Sequence, residues 1–454
     1  MSERHARNPG DSPFLTAPPG RLFLSNALPM AVVMSMGGIL TVTDGLFVGR
    51  YLGAEALAAV SLAFPAVMLL TALSSLSGGG MASLMARHLG AGDRNAAAAV
   101  LAGAQGLALA LCALLLFAAL AAGPQLVAGL AGGNGALAET AGRYLLVLVL
   151  GAPLQFGLAL HGDALRSEGH AGQIALLSVF VNLANIAANW LAIAGLGLGV
   201  AGSALGTVAA QGLGLALLLA LRLRDPRLLP PVRPAHRGWG AILALGLPVS
   251  LGLLGMALVS ATVVLAIGDD AGLLAAHGVA TRLLGLAFLP QMAIALATQT
   301  IAGHNAGAGH PARALRVRNL AMAAAFGWCL AVALAGSLFG ESLGRAFGGD
   351  ARMAASVAAI LRVMLALYAF SGPVLVLALY LQALGRPRPA AVLTLAKPWL
   401  LVPVLVPLIA ARAGPTGLWA AFPVADAVLL ALAVAILFRA PRHAGPDGQT
   451  EVLP

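Results

Sequence analysis

The sequence predicts an all-α integral membrane protein, with about twelve transmembrane helices in two pseudo-symmetric six-helix bundles. Three observations carry this. The chain is 60% hydrophobic and only 9% charged, where soluble domains carry roughly 25% charged residues. Its apolar runs reach the roughly 20 residues that a bilayer crossing takes, and the length leaves room for about twelve of them. The two halves also repeat one another in a nearly constant register.

Residues 1–21 are polar and Pro-rich and lack the apolar stretch of a cleavable signal peptide. They read as a tail, with the first span serving as insertion signal. Apolar runs bounded by charge, Pro or Gly give spans at about 24–49, 57–85, 96–122, 137–163, 171–195, 198–221, 241–267, 273–303, 315–339, 353–383, 389–411 and 417–438. An even number of spans puts both termini on one side. With that side cytoplasmic, 19 of the 26 basic residues, Lys397 among them, fall inside or at inner helix ends. Arg50, Arg143, Arg345, Arg352 and Arg412 fall outside, and Arg282 and Arg362 lie within spans. That is the positive-inside pattern of a bacterial inner-membrane protein with cytoplasmic termini.

The polar stretch from Arg222 to Gly238, with Pro226, Pro230, Pro231 and Pro234, divides the chain nearly in half. Residues 222–240 therefore read as a cytoplasmic linker between a first lobe, 22–221, and a second, 241–439, with 440–454 as a tail. Gly90-Ala91-Gly92-Asp93-Arg94 recurs as Gly307-Ala308-Gly309-His310-Pro311 at a shift of 217 residues, and Leu165 to Gly169 recurs as Leu381 to Gly385 at 216. Six spans per copy give both copies the same orientation, related by an axis along the membrane normal. Two parallel bundles flanking a cleft suit alternating access.

Several function classes are excluded at this stage. The formal charge of +10 sits in short loops, so it marks orientation and not nucleic-acid binding. Cys112 and Cys329 lie inside apolar runs, which supports neither a disulfide nor a metal site. Gly78-Gly79-Gly80 and the glycines from Gly195 to Gly199 follow no strand, and read as close helix packing or a hinge. No P-loop or zinc-binding motif occurs, so energy for uphill transport has to come from an ion gradient or a partner. No cofactor is expected, and an integral-membrane enzyme would need a catalytic cluster that the polar residues do not form.

Asp44 is the residue that stands out. A lone acid inside a span is costly in hydrocarbon and marks an ion or substrate pathway by default. The first half also offers Tyr144, the amides Asn182, Asn185 and Asn189, and Thr207 and Gln211. The three asparagines fall on one helix face, where they serve either as a site or as hydrogen-bonding glue between helices. Asp163 and Glu168 flank Arg166 at the inner end of the fourth span, as expected of a solvated ion cluster. Asp426, in the last span, is available to pair with Arg282 or Arg362.

The stretch Asp44-Gly-Leu-Phe-Val-Gly-Arg-Tyr-Leu-Gly53, followed by Ala56 to Pro65, resembles the opening of the multidrug and toxic compound extrusion (MATE) family. So do Gly90 to Arg94, Leu165 to Gly169, Gly197 to Thr207, Gly303 to Gly309, Leu381 to Gly385 and Gly417 to Pro423. The resemblance runs from about 22 to 440. It implies a V-shaped pair of six-helix lobes that exports organic, often cationic, compounds against H⁺ or Na⁺. In one branch of the family the ion site falls on Asp44, Tyr144, Asn185, Asn189 and Thr207. Many members carry an acid where this chain has Asn189. A second branch has acids in the C-terminal lobe, but Met256 stands where that branch has Glu, and the tenth span holds no acid.

A buried carboxylate with only neutral partners favours its protonated form. Asp44 is therefore expected to carry H⁺, with Na⁺ held by Asp44, Asn185, Asn189 and Thr207 as the runner-up. The expected partners are small organic substrates and the bilayer, met by a monomer. Two other readings compete: a flippase for lipid-linked saccharides of the same superfamily, and a non-transporting scaffold or receptor. The short tails argue against the scaffold.

Overall fold

The computed structural model describes residues 12–346 and 350–439. The expected tails at 1–21 and 440–454 lie partly or wholly outside these residues. The described residues form eleven helices long and apolar enough to cross a membrane, and a bent pair makes a twelfth. These are α1 (Pro19–Gly53), α2 (Glu55–Gly90), α3 (Arg94–Leu130), α4 (Gly135–Ser167), α5 (Ala171–Gly195), α6 (Gly199–Arg224), α7 (Trp239–Ile267), α8 (Ala271–Gly307) and α9 (Pro311–Ala346). The bent α10 comprises Ala351–Met364 and Tyr368–Ala383, and α11 (Pro387–Ala413) and α12 (Leu418–Phe438) complete the set.

Short connections work because the residues that leave one helix also start the next. Asp93, Asn134, Asp270 and Asp350 accept hydrogen bonds at 2.7–3.1 Å from the backbone N–H three residues on, capping α3, α4, α8 and α10. Pro19 and Pro387 occupy first-turn positions, where the missing N–H costs nothing. The repeat is visible in the turns themselves. Gly92 and Gly309, 217 residues apart, have φ of 78° and 74°, and Gly169 and Gly385 have 93° and 72°. Between α5 and α6, Gly197 and Gly199 also take positive φ, so that run forms the turn that joins the two helices.

The tenth span, expected as one helix over 353–383, is broken and bends by 55°. Pro373 cannot donate to the carbonyl of Ala369 four residues back, so the ladder restarts just ahead of it. Across the bend, Gln291 of α8 accepts from the Tyr368 hydroxyl at 3.1 Å and donates to Ser371 Oγ at 3.3 Å.

Among the described residues, the lobes meet from the end of the long helices that carries Gly90 and Gly307 to about their middle, where a Cβ on Gly38 would lie 3.2 Å from Leu289. Along this seam glycines let backbones touch. A Cβ on Gly80 would lie 2.1 Å from the Ile242 carbonyl oxygen, and one on Gly90 2.1 Å from that of His304. Polar side chains stitch the same seam: Gln299 donates to Ser83 Oγ at 2.9 Å, and the His304 ring bonds the Ser167 carbonyl at 2.7 Å. Ahead of α1, Phe14 sits buried in a one-turn helix, Pro13–Thr16, and stacks on His304 with ring centroids 4.1 Å apart. That part of the expected tail thus docks on the second lobe. Away from the seam, Leu114, Phe117, Leu120 and Leu338 are exposed, the apolar surface that a bilayer covers.

The Asp163–Arg166–Glu168 group is not a solvated cluster. Arg166 is buried in the seam, donating to the Leu296 carbonyl at 3.2 Å and Thr300 Oγ1 at 2.8 Å while keeping Asp163 at 3.1 Å. Glu168 turns the other way and pairs with Arg222 at 2.9 Å, with side-chain exposures of 3% and 0%. Their burial follows from the linker, whose Leu228 and Leu229 fold back over the pair; Leu229 N–H donates to Glu168, and its carbonyl accepts from Arg222 at 3.1 Å. Glu168→Gln leaves the guanidinium buried without its counter-charge. It should cost about 2 kcal/mol, read as a lower melting temperature of the purified protein in detergent.

Candidate functional site

Asp44 lies nine residues before Gly53, well inside α1, so it does not cap the helix. Gly53 takes φ 86°, a conformation that ends α1 and frees α2 to turn back. Opposite Asp44 stands the polar face of α5. Asn189 Nδ2 donates to Asp44 Oδ1 at 2.7 Å and to Asn185 Oδ1 at 3.1 Å. Asn185 Nδ2 then donates to Thr207 Oγ1 on α6 at 3.1 Å, and that hydroxyl donates to the Ser203 carbonyl at 3.1 Å. A chain of hydrogen bonds thus joins α1, α5 and α6, with Asn189 donating both ways, to the carboxylate at one end and through Asn185 and Thr207 toward the Ser203 carbonyl at the other.

Gly206 makes room for it. A Cβ there would lie 2.2 Å from Asn189 Oδ1, so any larger residue would push the amide aside. Asn189 Oδ1 is buried with no hydrogen-bond partner. Just beyond Asn189, α5 widens into a π-helical turn over Leu191–Gly195, a feature frequent at functional sites.

Not all the expected residues join this chain. Asn182, on the same stripe, donates to the Ser178 carbonyl of its own helix at 2.7 Å. Tyr144 packs against the Val48, Ala56 and Val200 cluster one turn beyond Asp44. Four of the five sequence-predicted residues are therefore linked, and Tyr144 is a neighbour. Gly206 escaped the reading because its role depends on which neighbour faces it.

The second lobe holds a cavity of about 430 Å³ between α7, α8, α10, α11 and α12. Met256 lines it, in place of the acid of the second branch. Its charges come from elsewhere: Lys397 of α11 pairs with Asp426 of α12 at 2.5 Å. Asp426 thus does not serve Arg282 or Arg362. Arg282 is exposed, and the exposed Arg362 reaches only the Ser337 carbonyl, at 3.5 Å. Lys397 lies mid-helix and not at an inner end, which removes it from the orientation count. Pro398 explains its placement, since the missing N–H opens a π-helical turn over Ala396–Leu401 that carries Lys397.

A family model, MatE, matches residues 29–191 and 248–408. The chain is 26% identical over 465 aligned residues to a protein of Shewanella oneidensis named FAD transporter, covering 98% of each. It is 30% identical over 188 residues, 40% of this chain and 39% of the relative, to the multidrug resistance protein PmpM of Pseudomonas aeruginosa. Among solved structures, a MOP-superfamily transporter from Pyrococcus furiosus superposes with a TM-score of 0.83 at 25% identity, covering 94% of this chain and 96% of that one. An outward-facing MATE transporter reaches 0.84 at 24% identity with the same coverage, a likeness of fold.

Proposed function

Since the chain belongs to the MatE family and is a multi-pass membrane transporter, we propose that it is a secondary active exporter of small organic compounds, coupled to an ion at Asp44, with no catalysis of its own. The observation that carries this reading is the hydrogen-bond chain ending on Asp44. A lone intramembrane carboxylate there accepts from Asn189 of α5, which is tied through Asn185 to Thr207 of α6, so a change in its charge is felt by all three helices.

The amide orientation favours a proton over sodium. Asn189 turns its N–H toward Asp44 and its oxygen away. A sodium ion would need that oxygen turned inward, and a cage of oxygens around it. Protonation needs no such reversal: it weakens the bond from Asn189 Nδ2 and frees α1 from α5.

The positive-inside pattern supports a cytoplasmic position, at the inner membrane, for the Gly90 and Gly307 ends. In this orientation the seam is an inner gate, the lobes part outward, and proton uptake at Asp44 from outside precedes substrate release. Dye efflux from energised cells tests the coupling. An uncoupler should abolish efflux and a sodium-free buffer should leave it unchanged; the reverse result would assign sodium. On the same assay, Asn189→Ala should cut efflux at least tenfold and Asn182→Ala less than threefold. Equal losses would show that the stripe is glue.

A further inference from the structure

The mechanism above leaves the second-lobe cavity unused, yet its polar groups are arranged around open space. We propose that this cavity binds an aromatic organic anion, held by Lys397 and His277. The inference deepens the exporter reading by naming the class of its cargo, and rests on that reading only for calling the ligand a cargo.

An intramembrane ion pair is expensive and marks function by default. This one is asymmetric: the Lys397 side chain is 26% exposed and that of Asp426 only 4%. Both residues line the cavity, and its wall therefore presents more of the cation than of the anion. A lysine ammonium has three donors, and Asp426 takes one of them. His277, 4% exposed and stacked on Trp419 at 5.3 Å, lines the same cavity. Neither of its ring nitrogens has a hydrogen-bond partner, nor does Asp426 Oδ2. Buried polar groups are ordinarily paired, so the unpartnered His277 ring, on the same cavity wall as Lys397, points to a missing polar ligand.

The remaining wall is aromatic and soft. Phe288, Phe370 and Phe422 supply ring faces, and Met256 and Met292 adaptable thioethers. The volume falls within the roughly 300–1,000 Å³ of small-molecule sites. A flat ring fits between these groups, its acidic oxygen on Lys397 and a second polar atom on His277. A cationic ligand would meet the ammonium first and reach Asp426 only by displacing it. Nor is the site the repeat image of the first-lobe one: shifted by 217 residues, Asp44 falls on Ala261.

The test uses three probes with one ring and three charges: 1-naphthoate, 1-naphthylmethanol and 1-naphthylmethylammonium. Binding to the purified full-length protein in nanodiscs is measured by titration calorimetry. Naphthoate should bind at least tenfold tighter than the ammonium. Lys397→Gln should weaken naphthoate at least tenfold, and Lys397→Arg should stay within threefold of wild type. Asp426→Asn should tighten it several-fold by releasing Lys397, a sign that a purely structural pair would reverse. If a single variant melts early, the neutral pair Lys397→Gln/Asp426→Asn serves in its place and should bind all three probes alike. Preference for the ammonium, or naphthoate binding indifferent to Lys397, overturns the proposal. Binding needs no gradient, so Asp44→Asn protein should bind naphthoate normally even where export fails. The two readings therefore fail separately.

Discussion

Replacing Asp44 with Asn should reduce gradient-driven export to background, a loss of about a hundredfold or more, with the fold intact. The side chains are nearly the same shape, and an amide oxygen at position 44 can still accept from Asn189 Nδ2, which now bonds Asp44 Oδ1 at 2.7 Å. One ordinary hydrogen bond then replaces a charge-assisted one, at a stability cost of about 1 kcal/mol. What disappears is the ability to take up and release a proton. The drive for outward transport goes with it, because a ligand that cannot distinguish the two conformations shifts neither. The measurement is uphill export in proteoliposomes under an imposed proton gradient, with substrate exchange at equal concentrations as the control. Exchange should persist, since it needs the lobes to move but no proton. Export retained in the variant would show that the coupling group lies elsewhere.

Much of this architecture is legible in the residues, because a bilayer limits the choices. Spans follow from apolar length, and the repeat follows from turn glycines whose positive φ the structure bears out at Gly92 and Gly309. Asp44 was legible because nothing else in its run is charged, and Asn185 and Asn189 because helical spacing puts them on one face. Spacing could not say that Asn182 would satisfy itself on its own helix. Nor could it show which way the Asn189 amide would turn.

What stayed hidden depended on contacts between distant segments. Glu168 and Arg222 are 54 residues apart and meet only because the linker folds over them. Composition already puts Lys397 inside the span at 389–411, although the orientation count sets it with the inner helix ends; what the residues alone could not show is that it pairs with Asp426 of α12. The lobes also looked separable from the sequence, with the Pro-rich linker as the natural divide. In the structure Phe14, Arg166 and Gln299 each cross that divide.

That seam makes a sharper prediction. Gly246→Leu should drive the inner gate open. A Cβ at Gly246 would lie 1.9 Å from the Leu76 carbonyl oxygen, and at Gly307 a Cβ would lie 1.9 Å from that of Arg87. The obstacle in each case is backbone, so no rotamer relieves it and α7 must move away from α2. Overpacking in a filled interior costs about 1–3 kcal/mol even where side chains can yield. Here the movement also parts Arg166 from Thr300 and His304 from Ser167. We expect the closed-gate population to fall by about 3 kcal/mol or more, over a hundredfold. Spin labels at the exposed Asn95 and Arg316, at the starts of α3 and α9, should report a longer separation by pulsed electron resonance, and efflux should fall with it. Gly240→Leu is the control, six residues earlier on the same helix with nothing within 4 Å of its Cβ position. A Gly246→Leu distance distribution that matched wild type would mean that the seam is not the gate, and that the lobes part along another surface.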